Sequence, residues 1–361
     1  MKNRNELLDV AKGIGILLVV FGHNSILCPS PSKAFAMVFS FHMPLFFFLS
    51  GVLFNPTKPF GNVLVSKCDS LIKPYLTTTV IVGLEYVLLR GDNLFGYIRD
   101  IAYGVGDTLV WISLWFLPHL FLVTVLVRLL TNLLNRKHTN LFLQYAPLFI
   151  LFLVGLVAMR YFGQHKIHLA GRKTDIIGLP WSMDLLGISS FYFLCGYRLA
   201  KQVKQFTPSL LWSTVSLIIF FSTHFFTNAS LDMNMRQYDS LIFTTLTTAS
   251  GIYLTFSISF LIHHFIAMRR VFAFLGISSL FILIFHSYLQ SNAIKMIGNF
   301  LGNGSASTGV FALMVGTFVP AIIWVVVKNV DAMALLFLPL KHNGLFRKIK
   351  SDVRPSGKSL S

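Results

Sequence analysis

The chain alternates long apolar runs with short polar breaks along nearly its whole length. A helix that crosses a bilayer needs ~20 mostly apolar residues at about 1.5 Å rise each. That measure predicts ten spans, at about 13–29, 35–54, 74–90, 109–134, 141–162, 179–200, 208–227, 241–266, 274–293 and 307–327. The third, interrupted by Glu85, is the weakest. The expected fold is an all-α, polytopic membrane helix bundle of about 10 transmembrane helices, with residues 1–330 as one membrane domain. Residues 331–361 are expected to form a basic cytoplasmic tail, partly disordered. No internal repeat is visible, which weighs against an inverted-repeat transporter. The polar connections near 91–108, 163–178 and 228–240 are the ones large enough to help hold a bulky substrate.

Composition agrees with that pattern. The chain is 55% hydrophobic and 12% charged, with a mean hydropathy of +0.70, whereas a soluble domain carries about 25% charged residues. A net charge of +17 invites a nucleic-acid reading. No basic domain stands outside the spans, so the charge is assigned to loop topology and anionic lipid, not to nucleic acid. With the N-terminus inside, the inner segments hold 21 of the 30 Lys and Arg, among them Lys67, Lys73, Arg269 and Arg270. That bias predicts both termini in the cytoplasm. Cys28, Cys68 and Cys195 make neither a disulfide framework nor a metal spacing, and no metal is expected. The start lacks a small-residue cleavage site, so the first apolar run is read as a retained helix.

Ionisable groups at bilayer depth are costly and mark function by default. His23, His42, His119 and His286 fall at middle-to-outer depth in spans 1, 2, 4 and 9. His23 has companions in LDVAKGIGILLVVFGHN. Lys12 lies eleven positions earlier and Asp9 fourteen, so at ~100° per residue the three share nearly one helix face. An acid and a base then stand at the inner mouth, with an imidazole ~16 Å deeper. The plainer alternative makes Asp9 a capping acid and Lys12 an interfacial anchor. Pro44 is expected to bend span 2 beside His42, and Ser50-Gly51 to allow close helix approach. Lys67 and Lys73 form a candidate anion seat, or simply follow the positive-inside rule. Trp115 and His119 combine an indole donor with an imidazole, and Asp184 lies just below the outer face, placed either to orient a sugar hydroxyl or to pair with a histidine. His224, His263 and His264, nearer span ends, are read as packing residues. No serine-hydrolase elbow, P-loop or HExxH occurs, which leaves His-centred acid–base or acyl-transfer chemistry.

Together these stretches resemble the membrane acyltransferase-3 family, bacterial integral-membrane O-acetyltransferases that decorate sugars. Leu8, Asp9, Lys12, Gly22 and His23 match the family's first motif. FHMPLFFFLSG at 41–51, SLIKPYL at 70–76, LWFLPHLF at 114–121 and LGISSLFILIFHSYL at 275–289 resemble further family stretches, in order and over residues 4 to 327. Many members carry arginine where this chain has Lys12; the fucose 4-O-acetylase-like branch often has lysine. Some members also carry an esterase-like domain after the helices, which is not expected in these residues. The resemblance implies a bacterial inner-membrane protein that transfers an acetyl group from acetyl-CoA, a co-substrate rather than a resident cofactor. The acceptor it implies is a glycan or lipid-linked glycan of the envelope, such as O-antigen, capsule or exopolysaccharide. It carries the catalytic role to His23, with Asp9, His286 and His42 as supporting candidates. Lys12, Lys67 and Lys73 are placed toward the donor's phosphates, and His119, Trp115 and Asp184 toward the acceptor. The alternatives are a transporter or flippase of a glycan or lipid-linked sugar, and a structural subunit of a glycan-assembly complex.

Overall fold

The computed structural model describes residues 5–91, 93–134, 141–227 and 230–340, the side chains of 132–134 and 141–144 excepted. Sixteen helices follow one another among the described residues: α1 Glu6–Gly22, α2 Lys33–Phe39, α3 His42–Val52, α4 Phe60–Lys67, α5 Lys73–Leu84, α6 Leu94–Tyr103, α7 Phe116–Leu134, α8 Leu141–Gln164, α9 Leu186–Arg198, α10 Ala200–Lys204, α11 Leu210–Phe226, α12 Leu241–His263, α13 Ile266–Ile277, α14 Ser279–Leu301, α15 Ala306–Asn329 and α16 Asp331–Phe337. A two-residue antiparallel pair, β1 Leu231–Asp232 and β2 Gln237–Tyr238, closes the loop between α11 and α12. The expected tail beyond residue 340 lies outside the described residues.

The chain is an all-α multi-pass membrane bundle. Among the described residues, seven helical segments are long and apolar enough to cross a membrane: Lys33–Val52, Phe60–Leu89, Ile112–Thr131, Tyr145–Gln164, Leu241–His263, Ser279–Leu301 and Ala306–Asn329. They coincide with seven of the ten expected spans. The other three fall on shorter helices, α1 with 17 residues, α9 with 13 and α11 with 17. Span 1 differs in register from its expected limits of 13–29. Asn5 caps α1 about two turns earlier, its side chain accepting from Leu8 N at 3.3 Å, and the helix stops at Gly22.

Span 2 is broken, not bent. The chain leaves α2 at Ser40 and restarts α3 at His42, with Phe41 off the helical path at φ −144°, ψ −15°. Pro44 therefore stands in the first turn of α3, where its missing N–H costs no helical bond. Two further interruptions are single π-helical turns, Cys68–Ile72 between α4 and α5 and Glu85–Leu89 after α5. Such turns often accompany functional sites. Glu85, the odd charge in that span, meets Arg90 at 3.1 Å.

Glycines seat α1 and α3 closely on their neighbours α13 and α9. A Cβ on Gly13 of α1 would strike the Phe272 carbonyl oxygen of α13, and one on Gly276 of α13 would strike that of Asp9. The same reciprocal contact joins α3 to α9, Gly51 meeting the Phe193 carbonyl and Gly196 that of Phe48. Small residues allow such backbone approach where lipid supplies no hydrophobic drive between helices.

Candidate functional site

His23, His42 and His286 converge from α1, α3 and α14. His23 is the C-cap of α1, at φ −94° and ψ 5°, so its ring leaves the helix where the helix ends. Its centroid lies 5.2 Å from that of His286 and 5.7 Å from Phe39, whose other side meets His42 at 4.7 Å. The break after α2 places Phe39 and His42 on the two sides of one corner, and Phe39 joins the two histidines. His42 Nδ1 donates to the Val38 carbonyl at 3.0 Å. His286 Nδ1 donates to the carbonyls of Ile282 and Leu283, both at 2.9 Å. A carbonyl can only accept, so Nδ1 carries the proton and Nε2 the lone pair in the neutral ring. In His286 that Nε2 is buried and has no hydrogen-bond partner among the described residues. Orphaned buried polar atoms of this kind call for an explanation, and catalysis is one.

A cavity of about 170 Å³ is lined by Lys12 and by residues of the same three helices that carry the cluster, Ile16 of α1, Met43 of α3 and Leu283 of α14. Its walls are apolar: Ile16, Phe46, Leu71, Leu117 and Leu283 among them, with Ser50 and Ser279 as the hydroxyls. Ile16 is seven positions before His23 on α1, and Leu283 carries the carbonyl that holds His286. Asp9 is buried and stands 3.9 Å from the Lys12 ammonium. Asp9, Lys12 and His23 stand on α1 and its C-cap, with Asp9 buried and Lys12 half-buried. Leu71 comes from the π turn between Lys67 and Lys73, which brings that basic segment against the cavity. Lys73 itself donates to Asp69 and to the Leu338 carbonyl, each at 2.6 Å, while Asp69 also accepts from Leu340 N at 2.8 Å. These bonds strap the segment after α16 across this end of the bundle.

The residues expected toward the acceptor do not join the histidine cluster. His119 is fully buried, with Nδ1 3.1 Å from the Trp181 carbonyl and Nε2 2.7 Å from Ser189 Oγ. Trp115 packs against it in the core, centroids 5.6 Å apart. Asp184 is locked by Arg236, 2.9 Å away, and accepts from Leu179 N at 2.8 Å. These bonds hold the corner Pro180–Leu185, where Trp181 and Ser182 take left-handed φ values of 52° and 55°. On the same side, a second cavity of about 330 Å³ is lined by Ser32, Lys33, Ala36, His224, Thr227 and Ser230. Polar side chains such as Ser32, Lys33 and Thr227 stand among its more extensive apolar surface, and Ala36 lies one helical turn from Phe39 on α2.

Sequence reasoning missed Phe39, Asn24 and Gln290. Asn24 follows His23 directly, and Gln290 comes one turn after His286; both are buried amides, at 0% and 1% exposure. The same rule that singled out the histidines, a polar residue within an apolar run, applies to both.

The family model described as "Acyltransferase domain" matches residues 5–327. The chain belongs to this family, the membrane acyltransferase-3 proteins, and is accordingly an acyltransferase. No curated protein and no solved structure matches it.

Proposed function

We propose that the protein transfers an acetyl group from acetyl-CoA to a hydroxyl of a cell-envelope glycan, in a bacterial inner membrane. The convergence of His23, His42 and His286, on the same helices that wall an apolar cavity lined by Lys12, carries this reading. CoA is polyanionic and cytoplasmic, with a long, slender arm. Lys12 and the neighbouring Lys67 and Lys73 supply positive charge on the side assigned to the cytoplasm, and the apolar walls suit the arm and the thioester. The hydroxyls of Ser32, Thr227 and Ser230 in the cavity near Lys33 offer hydrogen bonds to a polyhydroxylated acceptor.

In the reaction, an imidazole nitrogen takes the proton of the sugar hydroxyl as its oxygen attacks the thioester carbonyl carbon. The carbon–sulfur bond then breaks, and the CoA thiolate recovers the proton from the imidazolium. His23 is the residue placed to act, with His286 and His42 shaping its surroundings. A transient acetyl-imidazole at His23 is the covalent version of the same chemistry.

The test is acetyl transfer in proteoliposomes and NMR of the host glycan with and without the gene. His23→Ala that inserts normally yet leaves acetylation intact would remove His23 from the reaction. Substrate movement without acetyl-CoA consumption would instead favour a transporter or flippase.

A further inference from the structure

We infer that Asn24 and Gln290 are positioning residues, a buried amide pair that ends α1 at His23 and holds its ring against His286. This rests on the proposed reaction, in which those two histidines serve.

A helix leaves its last carbonyls without internal partners. At the end of α1, His23 N donates to Val19 O at 3.1 Å, but Asn24 N turns to Phe21 O at 3.0 Å. The Val20 carbonyl accepts instead from Gln290 Nε2, at 2.9 Å. A side chain of α14 therefore caps α1 from outside. Asn24 completes the stop. Its Oδ1 accepts from the N–H groups of Ile26 and Leu27, at 3.1 and 2.9 Å, and turns the chain. Its Nδ2 donates to Gln290 Oε1 at 2.9 Å and to the Gly309 carbonyl of α15 at 2.8 Å. Both donors and both acceptor sites of that amide are thereby used.

The placement ties the pair to the chemistry. Asn24 is the neighbour of His23, and Gln290 lies four positions after His286 on one face of α14. One hydrogen bond between the amides thus fixes the two histidine-bearing backbones to each other. The third helix is cut to fit: a Cβ on Gly316 of α15 would come 2.5 Å from Gln290 Cγ and 3.2 Å from Val20 Cγ1. Without the Gln290 cap, nothing holds the Val20 carbonyl, and α1 is free to run on. Each added residue turns the direction of the next side chain by ~100°, which carries His23 off His286.

Acyl transfer by variants in proteoliposomes tests this, paired with ¹⁵N NMR of histidine-labelled protein in nanodiscs. Gln290→Ala and Asn24→Ala are expected to lower kcat by ~10–100-fold, the scale of a small misplacement of a reacting group. KM for acetyl-CoA should stay within ~2-fold, because neither residue lines the Lys12 cavity. The His23 ring resonances, assigned with His23→Gln, should shift in both variants, while those of His119 stay in place. A purely structural role would lower the yield of folded protein and leave the kcat of that protein and the His23 resonances unchanged. Asn24→Asp, which keeps the turn but loses both donors, and Gln290→Met, which keeps the length, serve if the alanine variants fail to insert. Inserted variants with wild-type kcat and unmoved His23 resonances overturn the inference. If the wild type itself transfers no acyl group, the proposed reaction fails, and the resonances alone decide whether the pair positions His23.

Discussion

The rings of His23 and His286 stand 5.2 Å apart and inclined at 52°, although one ends α1 and the other lies within α14. Removing the acting imidazole should cost the ~10²–10⁴-fold that a positioned acid–base group contributes. His23→Ala is expected to show this loss in full. His286→Ala should show a smaller loss, through an altered neighbour. Acetyl signals of the host glycan, compared at equal membrane-protein levels, check both. Equal activity in His23→Ala and wild type would dismiss the cluster as the reaction centre.

Lys12 opens the apolar cavity and has Asp9 as its neighbour. Lys12→Ala is expected to raise KM for acetyl-CoA by ~10-fold, equivalent to about 1.4 kcal/mol, with a smaller change in kcat. Lys12→Arg should keep most of the affinity, since the charge remains. Initial rates against acetyl-CoA concentration separate the two effects. An unchanged KM in Lys12→Ala would detach the cavity from the donor.

Filling the cavity should block the reaction without removing any polar group. Leu283→Trp places an indole where Leu283 now meets Ile16 and Leu280 around the open space. The variant is expected to insert and melt near the wild type, yet to lose turnover. Retained turnover at saturating acetyl-CoA would show that the donor takes another route.

The reciprocal glycine contacts are predicted to be the least tolerant positions in the bundle. Gly51→Ala drives a methyl group into the Phe193 carbonyl, and backbone yields less readily than a side chain. Overpacking typically costs about 1–3 kcal/mol. Gly61→Ala, where nothing lies within 4 Å, is the matched control. Thermal melting in detergent should drop for the first and hold for the second.

Asp232, in the strand pair outside the spans, has its carboxyl pushed above the usual range by burial, against the pull of the Met235 and Asn234 amides and of Arg236. A raised carboxyl pKa in the fold means its contribution is fully present below the unfolded value of ~3.9 and is lost as pH rises through the folded value. Asp232→Asn keeps the acceptor for Met235 N, now at 3.0 Å, and removes the buried charge. Melting from pH 4 to 8 should therefore fall less steeply in the variant. A steeper fall would contradict the direction.

The elements most legible in the sequence were those set by uniform apolar runs, such as α12 and α15, whose limits fall within a few residues of expectation. Breaks were harder, because they depend on long-range partners. The stop of α1 at Gly22 needs Gln290, which no local pattern in LLVVFGHN announces. A depth estimate grouped His42, His119 and His286 with His23, and the rings of His23, His42 and His286 lie together around Phe39 and one another. It could not tell that His119, at comparable depth, turns to Trp181 and Ser189 instead. Asp184 misled for a similar reason: its partner, Arg236, is distant in sequence and reaches it through a loop.

The apolar cavity also bears on which reaction is avoided. An activated thioester beside a basic nitrogen would be hydrolysed if water reached it as readily as a sugar. Walls of Ile16, Phe46, Leu117 and Leu283 give water in the Lys12 cavity few hydrogen-bonding partners, and two serines add little. Under the proposed reaction, dryness rather than any single side chain is what separates a transferase from a wasteful thioesterase, and polar residues introduced along that wall should convert one into the other.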